Sequence, residues 1–195
     1  TPRGVHPRRR MKVPNRKYGE TRLRSKGKRL EQGDERIRAL AADMRETMHA
    51  ANGVGLAAQQ VGQALQLTVL DVSQVEDRPS TIALNGTPVD LASAMPLVLL
   101  NPKLRLSDET DSGSEGCLSF PDITAEIDRA LSVEVEAETL DGKTIRIDAS
   151  GLLSRALQHE ADHLNGILFV DRMSSAAKAS LASRLKRLQK ETQRQ

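Results

Sequence analysis

The sequence predicts an α+β domain: antiparallel β-sheets surround a central helix, with a further helix near each end of the chain. Three observations predict it. The stretch Gly151 to Gly166, GLLSRALQHEADHLNG, carries apolar residues around most of a helical circumference, the pattern of a buried helix rather than a surface one. Short apolar or alternating runs precede it, and one pair, Ser132 to Thr139 and Thr144 to Ile147, is joined by the hairpin signal Asp141-Gly142. Helically spaced segments flank these runs, Gly33 to Ala50 and Ser174 to Gln193.

Bulk properties bound the function. At 195 residues one domain is expected, large enough for a core without disulfides. The single cysteine, Cys117, forbids an intrachain disulfide and suits a reducing compartment. No apolar run reaches membrane-spanning length, and no signal-peptide pattern is present. The expectation is a soluble, cytoplasmic protein of bacterial type, acting on no DNA and no membrane. The net charge of +3 is unevenly placed, since Thr1 to Arg29 is dense in Arg and Lys and holds one acid, Glu20. Aromatic residues are limited to Tyr18, Phe120 and Phe169, too few for base-stacking platforms. Residues 1–17, with three prolines and many cations, cannot bury surface and read as a disordered or loosely attached arm. That arm is either a basic tail, a remnant of an organellar transit peptide, or an extension upstream of the domain with Met11 as an internal start.

The elements follow in order. In the first helix Ile37, Leu40, Met44 and Met48 form the apolar stripe, and Asp34 is placed to cap its start. His49 at its end reads as a surface cation rather than a ligand. Asn52 to Gly62, NGVGLAAQQVG, reads as a tight helix-to-strand connection, with Gly53 and Gly55 permitting close backbone approach. It lacks the spacing of a dinucleotide fingerprint and the Lys of a P-loop. Leu67 to Val72 reads as a buried strand, Ser73 to Met95 as a surface loop, and Leu97 to Leu100 as a strand stopped by Asn101-Pro102, with Lys103 to Leu106 continuing beyond the break. Asp111 to Pro121 reads as a Gly-flanked loop holding Cys117, and Ile123 to Ile127 as a strand. On the long central helix, Asp148 or Ser150 is the expected cap and Asn165-Gly166 the stop. In the last helix Leu181, Leu185 and Leu188 form the buried stripe opposite a basic face.

The central helix carries chemistry. His159 and His163 are four residues apart, so they share one face one turn apart, and Glu160 stands beside the first. This H-E-x-x-H pattern lets two imidazoles grip a metal while a carboxylate moves protons. Leu152 and Ala156 lie on the same stripe. A catalytic site of this kind needs a third protein ligand and one open position. A third histidine six residues after His163 would supply it, but Phe169 stands there. A downstream glutamate would supply it, and Glu191, near the C-terminus, is the sole candidate. The remaining option is Cys117 from upstream, and a Cys-His-His set suits Fe, Zn, Co or Ni.

Three segments then fall in order: GVGLAAQQ (Gly53 to Gln60), EGCLS (Glu115 to Ser119) and QHEADH (Gln158 to His163). Together they closely resemble the three signature motifs of the peptide deformylase family, and the resemblance runs from about Tyr18 to about Met173. It implies a catalytic domain over 18–173, followed by a basic amphipathic helix over 174–195. It implies that Cys117, His159 and His163 bind one divalent ion, Fe(II) before Zn(II), Ni(II) or Co(II). Glu160 becomes the proton-transferring catalytic residue, with the Gln60 amide and the Leu118 N–H as an oxyanion hole. Gly55 contacts substrate through its backbone, and Val54, Leu152, Ala156 and His159 are the pocket candidates. Arg155 is expected to line that pocket with its stem while its head reaches water. Behind the ligands, Glu115 is expected to orient the Cys117 loop or a ligand, and Arg129 to pair with Asp162. The implied reaction removes the formyl group from the N-terminal formyl-methionine of new polypeptides, at the ribosome near the exit tunnel if the C-terminal helix docks there. Gln59 departs from the family's usual Pro or Thr, residues 12–17 are more polar than in relatives, and Ser73 to Met95 looks longer. Two rivals remain, a peptidase using Glu191 and a non-catalytic RNA-binding relative. The intact Glu160 and Gln60 speak against the second.

Overall fold

The computed structural model describes residues 13–31 and 34–194. Helix α1 (Glu35–Ala50) starts where Asp34 accepts a hydrogen bond from the Ile37 N–H, satisfying an otherwise orphaned donor. Its Ile37, Ala41, Met44 and Met48 pack against Leu56, Leu67, Val69 and Leu100. Strand β1 (Gly55–Ala57) follows, then a short 3-10 turn (Ala58–Val61) and β2 (Leu67–Leu70).

Next come β3 (Ser80–Leu84), β4 (Thr87–Pro88), a single turn α2 (Leu91–Ala94), β5 (Leu97–Leu106), β6 (Thr110–Cys117), β7 (Phe120–Ala130), β8 (Ser132–Glu138) and β9 (Thr144–Gly151). The chain ends in α3 (Leu152–Leu164), α4 (Phe169–Arg172) and α5 (Ser175–Gln193). Seven strands form one sheet in the order β1-β2-β5-β8-β9-β3-β4, and β6 and β7 form a second. Every named pair is antiparallel.

The α+β expectation holds, with corrections in detail. Ser73 to Met95 is not simply a loop: it contains β3, which pairs with β9, and a hairpin closed by Asn85 and Gly86, both at positive φ. The Asn-Gly pair signals that hairpin in the sequence. Asp111 to Pro121 is likewise not a loop, because β6 runs through it to Cys117 and turns at Leu118 and Ser119 into β7. The break at Asn101-Pro102 is a bulge within one continuous strand. There Asn101, at φ 52, exchanges two hydrogen bonds with the Leu30 backbone.

The start of α3 is a further correction. Asp148 and Ser150 belong to β9, and Gly151 occupies the N-cap at φ 70. A side chain there would be strained and would also collide with the Pro79 carbonyl. The orphan helix donors find strand partners instead: Leu152 N–H donates to Pro79 O (3.1 Å) and Leu153 N–H to Ser80 Oγ (2.9 Å). The strand runs straight into the helix, so the start of α3 is stitched to β3. The end matches the expected stop, with Gly166 at φ 75 and Ile167 N–H donating to Asp162 O (2.9 Å).

All of α3 except Ala161 is buried. Leu152, Leu153, Ala156 and Leu157 pack on Leu99, Val135, Ile147 and other inward residues of the large sheet. On the scale of about 1.5–3 kcal/mol for each fully buried large aliphatic side chain, this face alone fixes the helix against the sheet. Ser174 caps α5 by accepting from Ala177 N–H. Leu185 is buried, with Leu181 and Leu188 half-buried beside it, against Tyr18, Phe120 and Ile123. Residues 1–12 of the expected arm lie outside the described residues. In 13–17, the Val13 N–H donates to Thr47 Oγ1 (2.9 Å) and the Arg16 N–H to Gln60 O.

Candidate metal centre

Three donors from two elements converge. Helix α3 sets His159 and His163 one turn apart, and Cys117 stands at the tip of the β6–β7 hairpin facing them. His163 Nε2 lies 3.3 Å from Cys117 Sγ and 3.2 Å from His159 Nε2. The ligand atoms of the three residues all fall within 4.8 Å of one another. Among the described residues no other trio of His, Cys, Asp or Glu is grouped this closely. Glu191 is exposed on α5 and takes no part.

Buried charge fixes the ring of His159. Its Nδ1 is 2.9 Å from Glu115 Oε1, which leaves Nε2 directed at the cluster. Arg129 holds Glu115 in a two-pronged pair, Nε to Oε2 (2.8 Å) and Nη2 to Oε1 (2.9 Å), and donates from Nη1 to Asp162 Oδ2 (2.7 Å). Arg172 adds two bonds to Asp162 (3.1 and 2.9 Å). Burial by itself would raise the Glu115 carboxyl, but the hydrogen bonds and charges of Arg129 and His159 reverse this and hold it near 2. Burial drives His163 well below the usual imidazole range. His159 is held well above it, because the pull of Cys117 and Glu115 overcomes its own burial.

Glu160 is handled differently. It is buried, its Oε2 has no hydrogen-bond partner, and burial pushes its carboxyl up to about 7. Gly55 packs directly against it, since a Cβ at Gly55 would lie 2.6 Å from Glu160 Oε1. Gln60 is oriented at both ends. Its Oε1 accepts from Ala57 N–H (2.9 Å), and its Nε2 donates to Ser119 Oγ (3.1 Å) and lies 3.6 Å from Cys117 Sγ. The amide N–H is therefore presented on the cysteine side.

One cavity of about 330 Å³ gathers these groups. Gly55, Gln60, Cys117, Leu118, His159 and Glu160 line it, together with Val54, Glu115, Leu152 and Ala156. Arg129 and Asp162 are not part of its wall and act from behind. Arg155 corrects its expectation: its head does not reach water but is buried among acceptors of β6 and β7, and it too lines the cavity. Sequence reasoning missed Ser119, which fixes Gln60, and Arg78 at the cavity wall. A serine just after Cys117 carried a faint signal, and an arginine in a segment read as loop carried none.

A thiolate and two imidazole nitrogens at this separation suit one transition-metal ion with an open position. The unpartnered Glu160 oxygen beside them fits a site that handles a water molecule. The sequence profile of the polypeptide deformylase family matches residues 14–179. The chain belongs to the peptide deformylase family. It is 40% identical over 173 residues to the peptide deformylase of Methylacidiphilum infernorum, spanning 89% of this chain and 90% of that protein. With the Roseiflexus castenholzii enzyme it shares 49% over 140 residues, 70% and 73% of the two chains. The crystal structure of peptide deformylase from Thermotoga maritima superposes with a TM-score of 0.72 at 34% identity, covering 84% of this chain and 98% of that one. The reaction is therefore removal of the N-formyl group from N-terminal methionine of newly made polypeptides, by a metal-dependent enzyme. No described helix is long and apolar enough to cross a membrane.

Arg129→Ala strands two buried carboxylates, each left with one remaining arginine. A loss of about 3 kcal/mol in unfolding free energy is expected, at the low end for breaking a buried pair. Denaturant melting of the variant checks this, and an unchanged midpoint contradicts the role given to Arg129.

Proposed function

We propose that Cys117 Sγ, His159 Nε2 and His163 Nε2 hold the ion, and that it is Fe(II) in the cell, with Zn(II), Ni(II) and Co(II) compatible with the same donors. Bound there, such an ion polarises the formyl carbonyl and lowers the pKa of water toward neutrality. The observation that carries the reading is the buried, unpartnered carboxylate oxygen of Glu160 beside the three donors.

Glu160 takes a proton from the attacking water and delivers it to the departing amine nitrogen. Burial raises its carboxyl above the usual carboxylate range, which favours holding a proton between the two transfers. Gln60 Nε2 and the Leu118 N–H donate to the oxyanion that develops as the carbonyl carbon becomes tetrahedral. One such donor is typically worth about 10²–10³ in rate. Val54, Leu152 and Ala156 receive the methionine side chain, and Gly55 meets the substrate backbone. Glu115, Arg129 and Asp162 keep the ligands in register.

Residues 18–173 form the catalytic unit in this reading, and α5 is a docking element for the ribosome near its exit tunnel, in a bacterial-type cytoplasm. What supports docking is the number of exposed cations on α5, Lys178, Arg184, Lys186, Arg187 and Lys190, which suit a phosphate-rich surface.

Two measurements test these assignments. Protein purified anaerobically with Fe(II) is expected to release formate from formyl-Met-Ala-Ser. Glu160→Ala should keep one metal per chain yet lose about 10²–10⁴ in rate; a variant that keeps its rate removes the proton-transfer role. For docking, joint reversal of Lys186, Arg187 and Lys190 to Glu should abolish salt-sensitive ribosome co-sedimentation, and undiminished binding rejects the role of α5.

A further inference from the structure

We propose that Arg155 sets the length of N-terminal side chain the enzyme accepts, by walling the active-site cavity off from a second cavity behind it. The inference rests on the reading above that the cavity at the metal centre receives the substrate's first side chain.

The second cavity measures about 280 Å³ and is lined by Asp77, Pro79, Asp111, Gly113 and Leu131, among others. Arg78, Leu152 and Arg155 line both spaces. Arg155 leaves α3 and crosses to the small sheet, where its Nη1 donates to Glu115 Oε2 (2.8 Å), Ile127 O (2.7 Å) and Gly113 O (3.4 Å). Its Nη2 donates to Asp111 O (2.9 Å). The guanidinium is thus anchored to both β6 and β7 and is buried. Gly113 is shaped around it: a Cβ at that position would come within 3.0 Å of the guanidinium carbon.

The consequence is a hard stop. An apolar side chain entering between Leu152, Ala156 and Val54 meets the arginine stem, a suitable apolar wall. Going deeper means displacing a charged head from four acceptors; Glu115 Oε2 keeps Arg129, but the Ile127, Gly113 and Asp111 carbonyls lose this donor, which is unfavourable. A buried, four-fold bonded arginine specifies length more sharply than a leucine, which can repack. Truncating it opens its part of the wall between the two cavities and leaves Leu152 and Arg78 in place. Glu115 keeps its two-pronged pair with Arg129, so the metal side of the site retains its main anchor.

The test compares formyl-Met-Ala-Ser with the same tripeptide carrying 2-aminodecanoate at the first position, and with formyl-Gly-Ala-Ser. Wild type is expected to prefer methionine to both. In Arg155→Ala and Arg155→Leu, the ratio of kcat/KM for the long chain over methionine should rise roughly 10-fold or more, the scale of a methylene or two finding room in an apolar pocket. That gain should lie mainly in KM. Arg155→Leu carries the test if the alanine variant does not fold. Wild type that accepts the long chain as well as methionine overturns the proposal without any variant. So does an unchanged ratio in a folded, metal-loaded variant. Wild type that treats glycine and methionine alike overturns the underlying pocket assignment instead, and the two failures are thereby told apart.

Discussion

The carboxylate of Glu115 is the interaction on which the rest depends. It lies buried between the guanidinium groups of Arg129 and Arg155 and the Nδ1 of His159. Removing this many charges from water costs several kcal/mol for each ion, and only dense pairing offsets it. Apolar residues of equal volume would hold the helix as well or better. What they could not do is fix the ring of His159 so that Nε2, and not Nδ1, faces Cys117 and His163. The network also ties together three elements distant in sequence: β6, which ends in Cys117; β7, which carries Arg129; and α3, which carries the histidines and Asp162.

The same arrangement divides the carboxylates by role. Glu115, with two arginines, stays ionised far below neutrality, while Glu160, with burial and no partner for Oε2, is raised to about 7. Two glutamates near one cluster are thus held differently, one as an ionised anchor and one, the proton carrier of the proposed reaction, without a partner for Oε2. Gly55 belongs to this division, because only a residue without a Cβ lets β1 approach the Glu160 carboxylate so closely.

Much of this was legible in the sequence, for identifiable reasons. Helices α1, α3 and α5 announce themselves because their apolar residues recur with helical period, and the β8–β9 hairpin because Asp141-Gly142 joins two strand-like runs. Strand β6 was not legible: TDSGSEGC has neither alternation nor β-branched bulk. It is a strand because β7 pairs along its length and because Arg155 and Arg129 bind its carbonyls and Glu115. Strand β3 was hidden in a polar stretch whose Asn-Gly turn was its one clear sign. The cap of α3 was misread because Asp148 and Ser150 are good caps in isolation, whereas the tight strand-to-helix passage demands a glycine at positive φ and takes its cap from β3. The site itself was legible because its donors and Glu160 fall in compact motifs. The head of Arg155 was not, since its carbonyl partners lie about forty and about thirty residues upstream and nothing in local pattern points to them.

The central claim is that Glu115 acts on the metal through His159. Fe(II) or Zn(II) affinity of Glu115→Gln, measured anaerobically by competition with a chromophoric chelator, tests it most directly. The glutamine keeps the shape but weakens the hold on Nδ1–H, so affinity should fall about 10–100-fold while the metal-loaded protein keeps its secondary structure by circular dichroism. A folded variant that binds the ion as tightly as wild type would contradict the account, and would leave the buried network a matter of packing alone.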